Sequence, residues 1–600
     1  TKPGLTGPFL KVKGDSPVFP FSIYADVYNI GEYIPKDQGG KFIQMSVIGS
    51  EDDLTITSKI RGGIIREVYG DPTGWQKYEK SEIEKSVWLN RFYFLPSFAR
   101  LYHLTGDRSY LDDMMNIIRG WIADNPRMPD SHRTTYNWRD MQVAWRSIHL
   151  SWCYFLGEKG LTAEEKEVIV NTLKDHAHIL ITGFGQAKLN EFNHQSHGAL
   201  AMLYLGTLFP MLDEAEQLRD RANIILSHHL GKAFYADGGN VEQMFGYYPF
   251  EAHIFRDAYM LCRANGLEPP VNTLPMLRKM AGYIASVAVP DGTMPRINDS
   301  FEMPVQPTLK ILNEILGEKA INPSQDSVYL PYSQIAVMRS NESEGWYVLA
   351  NPAPVIGAHA HAGRLGFELW YGGKPLMVDS GCCNYDDPAL VNWYRTSKAH
   401  NTVIIDGLSD AATSTDLLWV ARRETLNRVT EWMPGDELSY LAMVSPAEET
   451  VNSSVKWTRH ITLVKDRFAV LSDTFEADGD HTYEILLHFP PSDIEKEDIS
   501  KSLKVKMSSV AMVIPADPGI VAELKITDGL VSIGGKSLPG PVATYTIKGS
   551  GTVQSHLVIS PSGMTEVILK KKTGSKVLTV REENGRRTRV SFNAKGIKLI

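Results

Sequence analysis

The chain has 600 residues, 43% of them hydrophobic, with 62 Lys and Arg against 70 Asp and Glu for a formal net charge of −8. This length exceeds what one core usually carries, so two or three domains are expected, and the ordinary apolar content excludes a disordered chain. The acidic balance argues against a nucleic-acid binder, yet leaves room for an anionic sugar in a locally positive cleft.

No apolar run approaches the ~20 residues of a membrane-crossing helix. The four cysteines, Cys153, Cys262, Cys382 and Cys383, are too few for a disulfide framework. Thr1 opens no charged-then-apolar leader, so any signal peptide is expected to be absent already.

In chain order, the first 80 residues are mixed. FIQMSVIGS (42–50) and LTITSKI (54–60) have β-type composition and are expected as strands. From about 85 to 290 the apolar residues recur at three- and four-residue spacing. Eight helices are predicted, over 87–104, 109–123, 138–157, 163–181, 197–209, 213–234, 250–265 and 273–287. Gly, Pro, Asp and Asn punctuate them. Such a succession suggests paired helices wound into a toroid over 81–290, its aromatics serving either helix packing or sugar stacking. Turn-rich VPDGTMPRINDS and INPSQDS flank a helix-like LKILNEILG and mark 291–330 as a connection. From 331 to 600 the period becomes two, in segments such as WYVLAN, FELWYG and HITLVKDRFAVLSDTF, which predicts a large antiparallel sandwich. The fold class is therefore α+β, and the Lys570–Lys572 run reads as a solvated strand end.

Four segments carry candidate chemistry. NEFNHQSHGALAMLYLG (190–206) places His194 and His197 three apart, on one helix face, directly after Asn193; capping and ordinary polar packing are the competing reading. DGGNVEQMFGYYPFEAH (237–253) holds Glu242 and the pair Tyr247 and Tyr248, which stacking alone would also explain. PDGTMPRINDS contributes Arg296 and Asp299. HAHAGRLGFELWYGGKPLMVDSG (359–381) and YRTSKAHNTVIIDG (394–407) bring His359, His361, Asp379 and His400. Two imidazoles and a carboxylate on separate β-elements suit a tetrahedral zinc with one open position. Hydrogen-bonded core histidines would share the same spacing.

The wording of the last two segments resembles the heparinase II/III-like polysaccharide lyases, through His359, His361, Phe367, Glu368, Pro375, Val378, Asp379, Gly381, Arg395, Ser397, His400, Asn401, Thr402, Asp406 and Gly407. The resemblance spans about fifty contiguous residues, with weaker echoes upstream. One departure is Gly363, where relatives often carry Asp; Arg364 or Glu368 would have to do that carboxylate's work.

The resemblance implies a uronate-cleaving lyase. Asn193 and His194 would neutralise the substrate carboxylate, and Tyr247 would serve as base, as acid, or as both. His359 would be a second base entering from the β-half. His197, Glu242, Tyr248, Arg296, Arg364 and Arg395 would contact substrate. Zinc on His361, Asp379 and His400 would be structural, with no organic cofactor. Side chains two apart on a strand point the same way, so separate roles for His359 and His361 require an irregular GAHAHAG.

The chemistry is β-elimination: a base removes the C5 proton of a uronate, and the oxygen on C4 leaves with help from an acid. The carboxylate must be neutralised by preorganised donors, and a tyrosine that ordinarily titrates near ~10 needs such donors to act as base. A glycoside hydrolase, with Glu242 facing Asp237 or Asp299, and a non-catalytic glycan binder are the alternatives. An acidic polysaccharide is the expected partner, with glycosaminoglycan ahead of alginate, and a periplasmic or secreted location is expected. Arg91, Arg133, Arg139 and Arg146 join the arginines above as cleft candidates.

Overall fold

A computed structural model describes residues 53–600, with interruptions of which 76–82, 128–135, 353–358 and 409–424 are the longest, and short pieces before residue 46. Arg133 and most of FIQMSVIGS lie outside the described residues; Gln44–Met45 pairs with Gly31–Glu32 as a short antiparallel strand. LTITSKI is not a strand. It forms most of helix Asp53–Arg61, which buries Ile56 against the helical core and ties Asp53 to Arg100 by two hydrogen bonds of 2.8 and 2.7 Å. Its β-branched residues favour strand locally, but tertiary burial of the Ile56 face overrides that preference.

The helical region follows the periodicity closely, with one break. The segment expected as one helix over 87–104 divides into Ile83–Arg91 and Leu95–Thr105. Phe92 sits between them at φ 59°, a left-handed backbone uncommon for a bulky residue. Its ring is thereby delivered edge-on to Trp75, Phe94 and Trp121.

Helices Leu95–Thr105, Asp140–Gly157, Asn193–Leu208 and Tyr248–Ala264 pack successively on one another, and each also packs against the helix that follows it: Ser109–Asp124, Ala163–Thr182, Ala215–Lys232 and Thr273–Val287. Alternate helices thus form an inner layer and the rest an outer one, the toroidal pattern expected. Asn193–Leu208 is buried on nearly every side, as a helix surrounded by others must be. Ala163–Thr182, in the outer layer, opens with a Thr162–Glu165 capping box and keeps a solvated face. Gln306–Leu316 is the helix in the connection.

Among the described residues, the β-region consists of three antiparallel sheets. A five-stranded meander runs from Val328–Leu330 to Lys374–Met377. A ten-stranded sheet contains the long pair Phe468–His488 and Lys536–Ser560, and a four-stranded sheet closes the chain. Alternation along the strands assigns their faces. In the meander, Ile335, Val337, Tyr347, Leu349 and Trp370 join the helical core. Ala336, Met338, Trp346, Val348 and Leu369 instead pack with Leu441, Trp457, Ile461 and Leu471 of the ten-stranded sheet. The other face of that sheet, through Val464, Phe468, Val470 and Val558, meets Leu578, Val580 and Val590 of the four-stranded one. The meander is therefore sandwiched between the helices and the large sheet, and its edge loops reach the interface between the two halves. All four cysteines are buried thiols outside any disulfide.

Candidate active site

Asn193 is the first residue of helix Asn193–Leu208. Its backbone N–H donates to Glu242 Oε1 at 3.0 Å, and its carbonyl accepts from His197 Nδ1 at 2.7 Å. The residue stands at the end of a helix whose unpaired N–H groups and dipole favour an anion. His194 is exposed at the rim, and its charge reaches Glu242. Burial raises the Glu242 carboxyl, a shift opposed chiefly by His359. Tyr247 caps helix Tyr248–Ala264 and is buried, with its ring 6.0 Å from that of His359.

The opposite wall is organised by Asp299, which is wholly buried. Its Oδ2 meets His359 Nδ1 at 2.8 Å and also Arg395 Nη2, while its Oδ1 meets His361 Nε2 at 2.7 Å. Burial alone would raise this carboxyl, but Arg395 and the two imidazoles outweigh it and hold it well below the usual range. The neighbouring Asn298, left-handed at φ 64°, joins the walls: its amide donates to Gln243 O at 2.9 Å, and its Oδ1 accepts from His361 N at 3.0 Å. With Nδ1–H given to Asp299, the His359 lone pair lies on Nε2, on the side that approaches Glu242 Oε2 at 3.8 Å.

The segment holding His359 and His361 is irregular where described. The two histidines nevertheless share one carboxylate instead of facing separate sites. The histidine proposed for catalysis and the one proposed for metal are therefore coupled through Asp299.

Tyr385 was missed by the sequence reading. Its hydroxyl lies 3.3 Å from His359 Nδ1 and hydrogen-bonds Tyr247. Nothing local in GCCNYDDP distinguishes it; only the fold brings it between the other two.

Several expected substrate contacts are placed elsewhere. Tyr248 donates its hydroxyl to Gly238 O and packs on Tyr283 at 4.5 Å, so it is a core residue. His197 is fully buried beneath Asn193, stacked on Phe250 at 4.6 Å, and burial lowers it to about 3, leaving it neutral. Arg296 binds Glu302 at 3.1 Å and Ser532 O at 3.2 Å, tying the connection to the β-region. Arg364 turns to Ser445 inside the β-region. Arg146 is consumed by His176, Asn90 O and Asn137 O, and Arg91 by Gln142 and Tyr93. The carboxylate pairs of the hydrolase alternative are also spent: Asp299 on Arg395 and the two imidazoles, and Asp237 on the Tyr332 and Ser333 backbone at 2.8 Å each.

Behind this wall, His400 Nδ1 meets Asp379 Oδ2 at 2.7 Å, and the His361 and His400 rings lie 5.3 Å apart. His361 Nδ1 and His400 Nε2 are buried without a hydrogen-bond partner. Two orphaned imidazole nitrogens beside a carboxylate are a donor set of zinc type. In the arrangement present Asp379 is engaged by His400, and no three such side chains among the described residues are already set to hold an ion. Glu368, the alternative proposed for the missing Gly363 carboxylate, accepts from Asp379 N at 3.3 Å. A Cβ at Gly363 would come within 3.2 Å of the His400 ring.

The model of the heparinase II/III N-terminus matches residues 59–322, and that of the heparinase II/III-like C-terminal region matches 322–581. A heparin-sulfate lyase of Pedobacter heparinus is 23% identical over 446 residues, covering 70% of this chain and 64% of that protein. One of Bacteroides stercoris is 24% identical over 462 residues, covering 70% and 66%. The matched part thus spans just under two thirds of these relatives' own length. Among solved structures, a heparinase III superposes with TM-score 0.72 at 17% identity, over 99% of this chain and 94% of the other. The heparan sulfate lyase HepC from Pedobacter heparinus gives 0.62 at 18%, over 96% and 93%. At such identities the shared property is the fold: helices followed by large antiparallel sheets.

Proposed function

The chain belongs to the heparinase II/III-like family, and from that premise we propose that it is a glycosaminoglycan lyase acting by β-elimination, with heparan sulfate the favoured substrate class. The observation that carries this reading is the meeting of the two halves at one place: Tyr247 of the helical half has its ring 6.0 Å from that of His359 of the β-half, and Glu242 bridges Asn193, at a helix N-terminus, to His359. The uronate carboxylate is received by the Asn193 amide and the helix end, with His194 at the rim. Charge that builds on this carboxylate as the C5 proton leaves is met by donors already in place. Tyr247 takes that proton or delivers one to the departing oxygen on C4, and Tyr385 orients its hydroxyl. His359, held by Asp299, presents Nε2 from the opposite wall as base for the other uronate epimer. The products are a 4,5-unsaturated uronate and, on the neighbouring sugar, a new reducing end whose anomeric hydroxyl keeps the oxygen released from C4, without water.

Zinc is proposed on His361, Asp379 and His400, where it would brace the segment carrying His359. About one equivalent should co-purify, the ligand count being that of one tetrahedral site, and His361→Ala should lose it and melt earlier. A periplasmic or secreted location, where such polymers are met, fits the reading; among the described residues no helix is long and apolar enough to cross a membrane. The test is incubation with a panel of purified acidic polysaccharides. Ultraviolet absorbance of an unsaturated uronate supports elimination. New reducing ends without it would mean hydrolysis, and neither signal would leave a binding protein.

A further inference from the structure

The face of the ten-stranded sheet that meets the four-stranded one changes character halfway along. Near one end, Val464, Phe468, Val470 and Val558 form an apolar row closed by Leu578, Val580 and Val590. Two register steps on, the same face carries His460, Ser472 and His556 side by side, then Thr474 paired with Gln554. The four-stranded sheet changes in step, with Lys576 beside Phe592 and Lys571 beside Lys576. A sandwich interior that turns polar on both faces does not close. Here it opens as a cleft of about 480 Å3, within the size range of saccharide and other small-ligand pockets. None of its lining residues belongs to the site described above.

The lining is built for an anion with a flat, partly apolar body. His556 is buried, with Nδ1 2.8 Å from Ser472 Oγ and Nε2 without a hydrogen-bond partner. When the Ser472 hydroxyl donates to Nδ1, the imidazole proton sits on Nε2, which is closed off from solvent behind the lining. Burial keeps this ring neutral, so it is a donor of fixed direction rather than a titrating cation. Lys571 and Lys576 share one carboxylate, Asp517, at 2.9 and 3.4 Å, which leaves most of their ammonium protons for another acceptor. Lys572 stands exposed at the mouth. Phe592, half-buried and 5.1 Å from the His556 ring, offers an apolar platform. Among the described residues, Glu431 is the one acidic side chain in the lining.

We propose that this cleft is a second, non-catalytic saccharide site that holds a sulfated segment of the polysaccharide chain while another segment occupies the cutting site. The choice of ligand rests on the lyase reading above. Lysine ammoniums receive sulfate oxygens, and Phe592 covers a sugar face. Of the Lys570–Lys572 run, expected only as a solvated strand end, Lys571 and Lys572 are then the cationic lip of this site.

Calorimetric titration of the non-cutting Tyr247→Phe protein with a short sulfated heparan oligosaccharide tests the proposal. Two equivalents should bind per chain. Lys572→Glu should weaken one of them about tenfold, and Glu431→Gln should strengthen the same one, as changes of charge at a binding rim do. With tyrosine restored, Lys572→Glu should leave kcat unchanged and raise KM on long polymer about three- to tenfold, through lost bivalency. A single equivalent, indifference to both substitutions, or inorganic sulfate matching the oligosaccharide's affinity would overturn the proposal. Failure of every polysaccharide to give unsaturated product would instead sink the lyase reading, while the responses of Lys572→Glu and Glu431→Gln in the titration would still decide this one.

Discussion

The two walls of the candidate site are held in different ways. On the β-side, Asp299, His359, His361, Arg395, Asp379 and His400 hold one another through short charged contacts between buried side chains. On the helical side, Asn193 is fixed through its backbone, and Tyr247 by its place at a helix end. A group in the first wall stabilises fold and function together, because its loss leaves a buried partner uncompensated. A group in the second is fixed by its main chain, so its side chain can be changed with little cost to stability.

The sharpest way to break this distinction is Asp299→Asn. It keeps the shape but leaves the Arg395 charge buried without its counter-ion, and a loss of about 3–5 kcal/mol in chemical denaturation is expected, along with most activity. Unchanged stability would mean that the β-wall is not a coupled network. Tyr247→Phe makes the opposite test. Turnover should fall about a hundredfold or more, the scale of a missing acid–base group, while the melting temperature holds. Near-normal turnover here, with Tyr248→Phe inactive, would transfer the role to a residue that the structure buries in the core.

His359→Ala stands between these cases. Asp299 keeps His361 and Arg395 as partners, so a cost of about 1–3 kcal/mol is expected. Product absorbance should collapse on at least one uronate epimer while metal content stays. Loss of the metal together with activity would make His359 a ligand and remove the second base.

The last effect depends on pH and concerns Glu368. Burial, opposed mainly by Arg296, pushes its carboxyl up from 4.5 to about 7. The folded state thus keeps a proton that the unfolded chain releases. The resulting stabilisation is full below pH 4.5 and is lost as pH rises through about 7, with a slope of at most about 1.4 kcal/mol per pH unit. Glu368→Gln should remove this contribution from the denaturation profile. A profile identical to that of the wild type would show that the carboxyl is already ionised in the fold.

Local pattern was enough for much of this molecule. Three- and four-residue spacing located the helices of the 85–290 region to within a few residues, and period two located the strands after 331, because both follow from which side of an element meets apolar neighbours. Side-chain chemistry in short motifs was also legible, and His359, His361, Asp379 and His400 do gather in one place. Tertiary structure alone decided the rest. Asp299 joins residues 60 and 96 positions away, Tyr385 reaches Tyr247 between two loops, and Tyr248 turns inward beside a neighbour that turns to the site. LTITSKI becomes helix because Ile56 has a core to enter. The physical reason is common to all four. Periodicity records how a segment faces its surroundings, whereas a buried polar group's partners are set by loops that approach only after separate elements have packed, and no spacing within one segment encodes that approach.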